Sequence, residues 1–382
     1  MHALPSPHAL GSTAWSAEGQ AYFDTTPGPL GHAHPVLMQA LSEHARQGLN
    51  PPAQLGQPWH GRLAQRLCEL AEAERAVLTP SACHANETAL KLARLWGWYK
   101  GIGQPQVLVF GGAHHGHTLA TLSASDDHRL ALGGAPGESV RVPYGDLGAL
   151  QAAATEHGTR IAAVWLPGLP LQGPTAAAGW LPAVAALCQR QGWLLMLDDT
   201  QVGIGRTGHW FSCQGAGVRP DVLSVAGGLS EGAPWGACLV APRLARFCDL
   251  GLEVPGVSAL ACRLGWETLG VMAQQGLPAR AGQAGLRQAL RACFSGSGVE
   301  VRGEGLHLAL ALPQVVPGLA RRALQEQNLL LTVHENRLIR LAPALNLSDA
   351  EAATLVAGLA ALLGGSLAPQ LDQVINEAAQ LG

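Results

Sequence analysis

Short apolar runs recur along the chain, each bounded by polar or turn-forming residues: Gln106–Phe110, Ile161–Leu166, Trp193–Leu197 and Val222–Ala226. They are too short for helices and do not alternate, so they read as strands buried on both faces of a sheet. Between them the apolar positions take helical spacing. Pro35–Gln47 places Val36, Met38, Leu41 and Ala45 on one stripe and closes at Gly48, and Trp59–Ala73 does the same with Leu63, Leu67 and Leu70. Further helices are expected up to Tyr99 and over Leu147–Ala154, Gly179–Arg190 and Ala259–Gln274. Strands alternating with helices predict an α/β protein with a mainly parallel sheet. Residues 15–30 predict a hairpin and turn, and the rest of 125–160 a loop. Toward the C-terminus, 298–302 and 306–312 predict strands, and 329–333 with 337–341 a hairpin through Glu335-Asn336. Ser348–Glu351 is a capping box, and one more helix is expected after Pro369.

Composition narrows the class. A chain of 382 residues buries a large core and is long enough for two domains, and its 48 glycines and 25 prolines imply many tight turns. The net charge of −3 offers no basic field to nucleic acid or to an anionic membrane. The N-terminus lacks the basic flank and apolar core of a signal peptide, and no run is long enough to span a bilayer. The eight cysteines are scattered without a C-x-x-C pair, which predicts reduced thiols, no zinc site and a cytoplasmic setting.

The candidate chemistry gathers around Trp193–Cys238. Asp198 and Asp199 fall at the carboxyl end of a strand, where open α/β sheets place their ligands. Gln201 and the glycine-rich Gly203–Gly208 follow, and a second strand runs into Gly227-Gly228. Upstream, Ser81, Ala82 and Cys83 open a helix, where unpaired amides and the helix dipole suit a phosphate, although a plain N-cap explains the same residues. His114, His115 and His117 lie close together, but H-H-x-H is not a zinc spacing, and the pair His32 and His34 reads as a helix entry before Pro35. The only lysines are Lys91 and Lys100.

Asp198-Asp199-Thr200-Gln201-Val202-Gly203-Ile204-Gly205-Arg206-Thr207-Gly208, followed by Ala226-Gly227-Gly228-Leu229, resembles the class III aminotransferases. These are the pyridoxal-phosphate (PLP) enzymes of the ornithine and acetylornithine type. The likeness runs from about Tyr22 to Leu363, taking in Val301–Leu306 and Ile339–Leu345. It implies the PLP-dependent transferase type I fold, with a large domain built on a seven-stranded-type, mainly parallel sheet and a smaller α/β domain drawn from both termini. The expected divisions are 1–34, 35–255 and 256–382. It also implies a homodimer, or a mixed dimer with a lysine-bearing homologue. By the resemblance, Ser81, Ala82 and Cys83 meet the cofactor phosphate, His114 takes the place of the aromatic that stacks on the ring, Asp198 pairs with the pyridine nitrogen and Gln201 touches the phenolic oxygen. His117 stands where the acetylornithine branch has a carboxylate-gripping arginine, and Arg340 matches an arginine that anchors a substrate carboxylate.

The departures are as informative. The lysine that holds PLP as a Schiff base is replaced by Gly227, so no catalytic residue carries over. The residues after the 161–166 strand supply no acid, and the phosphate-reaching threonine after Glu253 is missing. A protein amine is what forms the covalent bond to PLP and shuttles the proton. The resemblance therefore implies a degenerate homologue unable to transaminate, with PLP held without a covalent bond or lost. Two alternatives stand beside it: lysine-independent chemistry on an amino-acid-like substrate in the old pocket, using His114, His115, His117, Asp198 and Asp199, or residual acetylornithine-type activity.

Overall fold

The computed structural model describes residues 8–48, 58–126, 139–172, 176–252 and 256–380. The expected loop over 127–138 and the segment Glu253–Pro255 lie outside them. In chain order the strands are β1 His8–Leu10, β2 Thr13–Trp15, β3 Ala21–Asp24, β4 Arg75–Thr79, β5 Gln106–Phe110, β6 Ser139–Val142, β7 Ile161–Pro167, β8 Leu194–Asp198, β9 Val222–Ala226, β10 Gly236–Val240, β11 Glu300–Glu304, β12 His307–Ala311, β13 Leu329–Leu330, β14 Thr332–His334 and β15 Leu338–Leu341. The helices are α1 Pro35–Gln47, α2 Pro58–Ala71, α3 Ala82–Tyr99, α4 Leu119–Ala124, α5 Leu147–His157, α6 Trp180–Gln191, α7 Ala259–Gln274, α8 Leu277–Gln283, α9 Leu286–Cys293, α10 Leu319–Gln327 and α11 Asp349–Gln380.

Contacts divide the chain into two units. Val36–Ile204 with His209–Gln274 forms the larger, and Met1–Pro35, Gly205–Gly208 and Gln275–Gly382 form the smaller. The large unit is organised by a seven-stranded sheet in the order β4-β10-β9-β8-β7-β5-β6. Every neighbouring pair from β9 to β6 is parallel, while β10 runs antiparallel to both β4 and β9. The apolar runs read from the sequence are its central strands, and their lack of alternation follows from burial on both faces. On one face, Ala89, Leu92, Ala93 and Trp96 of α3 pack against Val107, Trp165, Leu194, Met196, Val222 and Cys238. That packing fixes the N-terminus of α3 beside the carboxyl ends of β7, β8 and β9. α7 packs on α2 within the same unit.

The small unit has two sheets, β1-β2-β3-β13 and β11-β12-β15-β14. The stretch expected as one strand, 329–333, is split. Leu329-Leu330 pairs in parallel with β3, and Thr332–His334 turns to pair with β15. A single hairpin would have left the edge of β3 open, and Leu329-Leu330 covers it. The tail is not a separate helix but the continuation of α11, whose start is capped as expected. Glu351 N–H donates to Ser348 Oγ at 3.3 Å, and Ser348 N–H donates to the Glu351 carboxylate at 2.8 Å. Gly205–Gly208 belongs to this unit. There Arg206 is buried and donates to the carbonyls of Pro343 and, at 2.9 Å, Pro27.

Candidate functional site

Asp198 closes β8, in register with Ser224 of β9, and its side chain is 2% exposed. Its carboxylate accepts four hydrogen bonds from the protein. Oδ2 takes Asn86 Nδ2 at 2.8 Å and His115 Nδ1 at 2.7 Å; Oδ1 takes Thr200 N at 2.9 Å and Thr200 Oγ1 at 2.6 Å. Each donor is itself placed by a regular element. Asn86 lies in the first turns of α3 and also donates to the His115 carbonyl at 2.7 Å. His115 N–H donates to Ser125 Oγ at 2.8 Å, and the imidazole stacks on Trp165 of β7, with centroids 3.9 Å apart and planes 14° from parallel. His115 Nε2 and Asn86 Oδ1 are buried without a partner, so both side chains turn their donors toward Asp198.

The N-terminus of α3 forms the next part of the site. Ser81 is the N-cap: its hydroxyl accepts from His84 N–H at 3.3 Å and meets His84 Nδ1 at 2.8 Å. The turn packs tightly on β10, because a side chain at Gly236 would meet the Ser81 carbonyl at 2.6 Å. The Ala85 amide closes on the Ser81 carbonyl at 3.1 Å, which leaves the amides of Ala82 and Cys83 as the donors a helix start offers to an anion. Cys83 Sγ accepts from His117 N–H at 3.5 Å, and the rings of His114 and His117 lie 4.8 Å apart at 60°. Gln201 is exposed. Among the described residues, no three of His, Cys, Asp or Glu converge as a metal-ligand set.

Gly227 follows β9 with φ +87° and Gly228 has φ +33°, both in the left-handed region that side chains disfavour. The Leu229 amide closes back on the Gly227 carbonyl at 2.5 Å, a tight turn built on that conformation. A Cβ at Gly227 would meet only the Thr200 carbonyl, at 3.7 Å, so the backbone and not the available space opposes a side chain there. Trp235, just before β10, is buried with its indole N–H unpaired.

Asp199 points elsewhere. Its two oxygens take Ser212 Oγ at 2.5 Å and Ser212 N–H at 2.8 Å, and a side chain at Gly168 would strike the Asp199 carboxylate. Burial pushes the Asp199 carboxyl up to about 6, against the two Ser212 hydrogen bonds, which favour the ionised form. Its folded-state pKa thus lies above the unfolded value. The protonated group contributes stability that is complete below about pH 4 and is lost as pH rises through about 6. Asp199→Asn keeps the shape without the titration. The fall in unfolding free energy between about pH 5 and about pH 8 is expected to be smaller in the variant by about 1–2 kcal/mol. Equal pH dependence in the two proteins would refute the assignment.

Arg340 lies on β15 in the small unit, opposite Thr332 of β14 and Ala309 of β12. Burial holds its pKa below the usual arginine value. Of the residues read from the sequence, Ser81, Ala82, Cys83, His114, His117, Asp198, Gln201 and Gly227 belong to the large unit and Arg340 to the small one. Sequence reasoning missed Asn86, Thr200 and Ser212 as partners of the two aspartates, and Trp165 as the ring on which His115 stacks. Asn86 follows Ser81–Cys83 within the first turns of the helix, but nothing in its spacing says which way it points.

A seven-stranded, mainly parallel sheet with an acid at the carboxyl end of its central strand and a helix N-terminus beside it is the place where open α/β proteins bind their ligands. The class-III aminotransferase family matches residues 2–363, and the chain belongs to that family. It is 39% identical over 378 residues to acetylornithine aminotransferase 1 of Bordetella parapertussis, covering 95% of each chain. Among solved structures, acetylornithine aminotransferase from Elizabethkingia anophelis superposes with a TM-score of 0.79 at 25% identity, covering 95% of this chain and 94% of the other. The ornithine aminotransferase of Toxoplasma gondii ME49 shares the fold with a TM-score of 0.85 at 24% identity, covering 96% of this chain and 91% of the other. The fold is therefore the type I fold of PLP-dependent aminotransferases, as expected, and the family uses PLP.

The residues fit that cofactor only in part. The amides at the start of α3 suit a phosphate. A carboxylate has about four acceptor positions, and Asp198 has all of them filled by protein donors, so a pyridinium N–H would have to displace one. The covalent link has no amine: position 227 is glycine, and Lys91 and Lys100 both belong to the α3 region, in its middle and just past its end. These residues do not fit a covalently held, ring-protonated PLP.

Proposed function

We propose that this chain is a class III aminotransferase homologue that does not transaminate. The observation that supports this most strongly is Gly227 in a left-handed turn at the Schiff-base position. It removes the amine and gives the backbone a conformation that a lysine adopts only at a cost. Loss of a general acid/base alone lowers a rate by about 10²–10⁴-fold, and loss of covalent catalysis adds to that. His115 does not replace the amine, because it is fully buried and committed to Asp198. The remaining roles are those of a binding protein or a subunit. On this reading the chain holds an amino-acid-like small molecule or pairs with a copy of itself or with a lysine-bearing homologue. It works in the cytoplasm, and any PLP is held without a covalent bond.

A half-reaction tests this. The purified protein is mixed with PLP and an N-acetylated diamino acid, and the absorbance of the aldehyde form of the cofactor is followed. No conversion to the amine form is expected with any amino donor. Donor-dependent conversion would restore acetylornithine-type activity as the better reading.

A further inference from the structure

The misfit at Asp198 has a consequence for what this residue now does. We infer that Asp198 is no longer a cofactor residue but the internal fastener of the large unit, with the His115 imidazole serving as the ring N–H donor in the role a pyridinium would otherwise fill. The inference rests on the reading that the chain has left the covalent PLP cycle.

Three features carry it. The first is the number of elements joined: through one carboxylate, Asp198 ties the end of β8 to the first turns of α3 by Asn86, to the segment before α4 by His115, and to the following turn by Thr200. The second is burial. Asn86 is 1% exposed, His115 1% and Asp198 3%, so the Asn86 and His115 bonds do not compete with water. The third is a ring already in place. The His115 imidazole lies flat on Trp165, and its backbone N–H donates to Ser125 Oγ, whose own hydroxyl donates to the Thr121 carbonyl at 2.7 Å. Stacked on Trp165 on one face and bonded to the acid through Nδ1, the ring is held by protein contacts. Removing the carboxylate would strand the donors of His115 and Asn86 in a dry interior, the circumstance in which one lost partner destabilises most.

The experiment compares the full-length protein with Asp198→Asn and His115→Phe, each without added PLP and at saturating PLP, by thermal unfolding. Asp198→Asn keeps the volume but turns an amide N–H₂ toward two of the four donors, while His115→Phe keeps the stack on Trp165 and removes only one donor. Without PLP, the unfolding midpoint is expected to fall by roughly 5–10 °C in Asp198→Asn and by a smaller amount in His115→Phe. PLP is expected to shift the natural protein no more than it shifts Asp198→Asn. An Asp198→Asn midpoint equal to that of the natural protein would overturn the inference. So would a PLP-induced rise seen in the natural protein and absent from the variant. If Asp198→Asn does not fold, the inference is supported on its first count and His115→Phe carries the comparison with PLP. Covalent capture of PLP would instead refute the non-transaminating reading, and it would do so without changing the cofactor-free midpoints, so the two failures are separable.

Discussion

Gly227→Lys is expected to yield a protein that is less stable than the natural chain by about 1–3 kcal/mol and still does not turn over amino donors. The stability loss follows from the backbone. Positions 227 and 228 both have positive φ, and the Leu229–Gly227 hydrogen bond closes the turn in that form. A lysine must either adopt the strained conformation or open the turn. The absence of turnover has a separate cause. An amine alone does not free an acceptor on Asp198, nor does it replace His114 and His117 by an aromatic and an arginine. Denaturant unfolding and the half-reaction check the two parts independently. An undiminished stability would contradict the strain argument, and turnover would show that a single residue separates this chain from its relatives.

Arg206→Ala is expected to cost about 3–5 kcal/mol of unfolding free energy, by a different mechanism. Arg206 is a buried cation whose guanidinium is held by the carbonyls of Pro27, from the N-terminal segment, and Pro343, from the segment after β15. Burial, and the like charge of Arg340 next, push its pKa down to about 9, so the guanidinium sits where a charge is costly and the carbonyls offset that cost. Truncation leaves both carbonyls without their donor and opens a cavity. The backbone of Arg206 also contributes: its carbonyl accepts from Leu306 N–H at 2.8 Å, an approach possible only because a side chain at Gly305 is absent. Arg206→Lys is expected to recover part of the loss, since one ammonium reaches carbonyls but cannot fork between two in a fixed plane. A loss below about 1 kcal/mol for Arg206→Ala, measured by denaturant unfolding, would show that the carbonyls find other donors.

The central strands were legible because their burial on both faces leaves uninterrupted apolar runs, and the long helices because one apolar stripe packs on that sheet. Gln106–Phe110, Val222–Ala226, Pro35–Gln47 and Ala259–Gln274 have the bounds that the pattern predicts. β4, β6 and β10 were not read. β4 and β6 are edge strands with mixed composition, and β10 begins at the glycine that lets Ser81 approach. The split of 329–333 could not be seen either, since it depends on β3, some three hundred residues away in the chain. At the site, residue types at a strand end and a helix start were readable as motifs. Their hydrogen-bond partners were not: Thr200 reaches Asp198 by a local turn, but Asn86 and His115, with Trp165 behind the imidazole, meet it only through the tertiary packing of distant segments. The assignment of Asp199 shows the same limit: adjacent in sequence to Asp198, it faces Ser212, and alternation along an extended chain sends neighbouring side chains to opposite sides.

The most direct test of the account is the intact mass of the protein after incubation with PLP and reduction by borohydride. The account predicts the mass of the unmodified chain, because no lysine stands at position 227 to be fixed to the cofactor. A stoichiometric increment of one pyridoxyl group, mapped to Lys91 or Lys100 and accompanied by amino-donor turnover, would mean that this chain has relocated its amine rather than lost it, and would contradict the account.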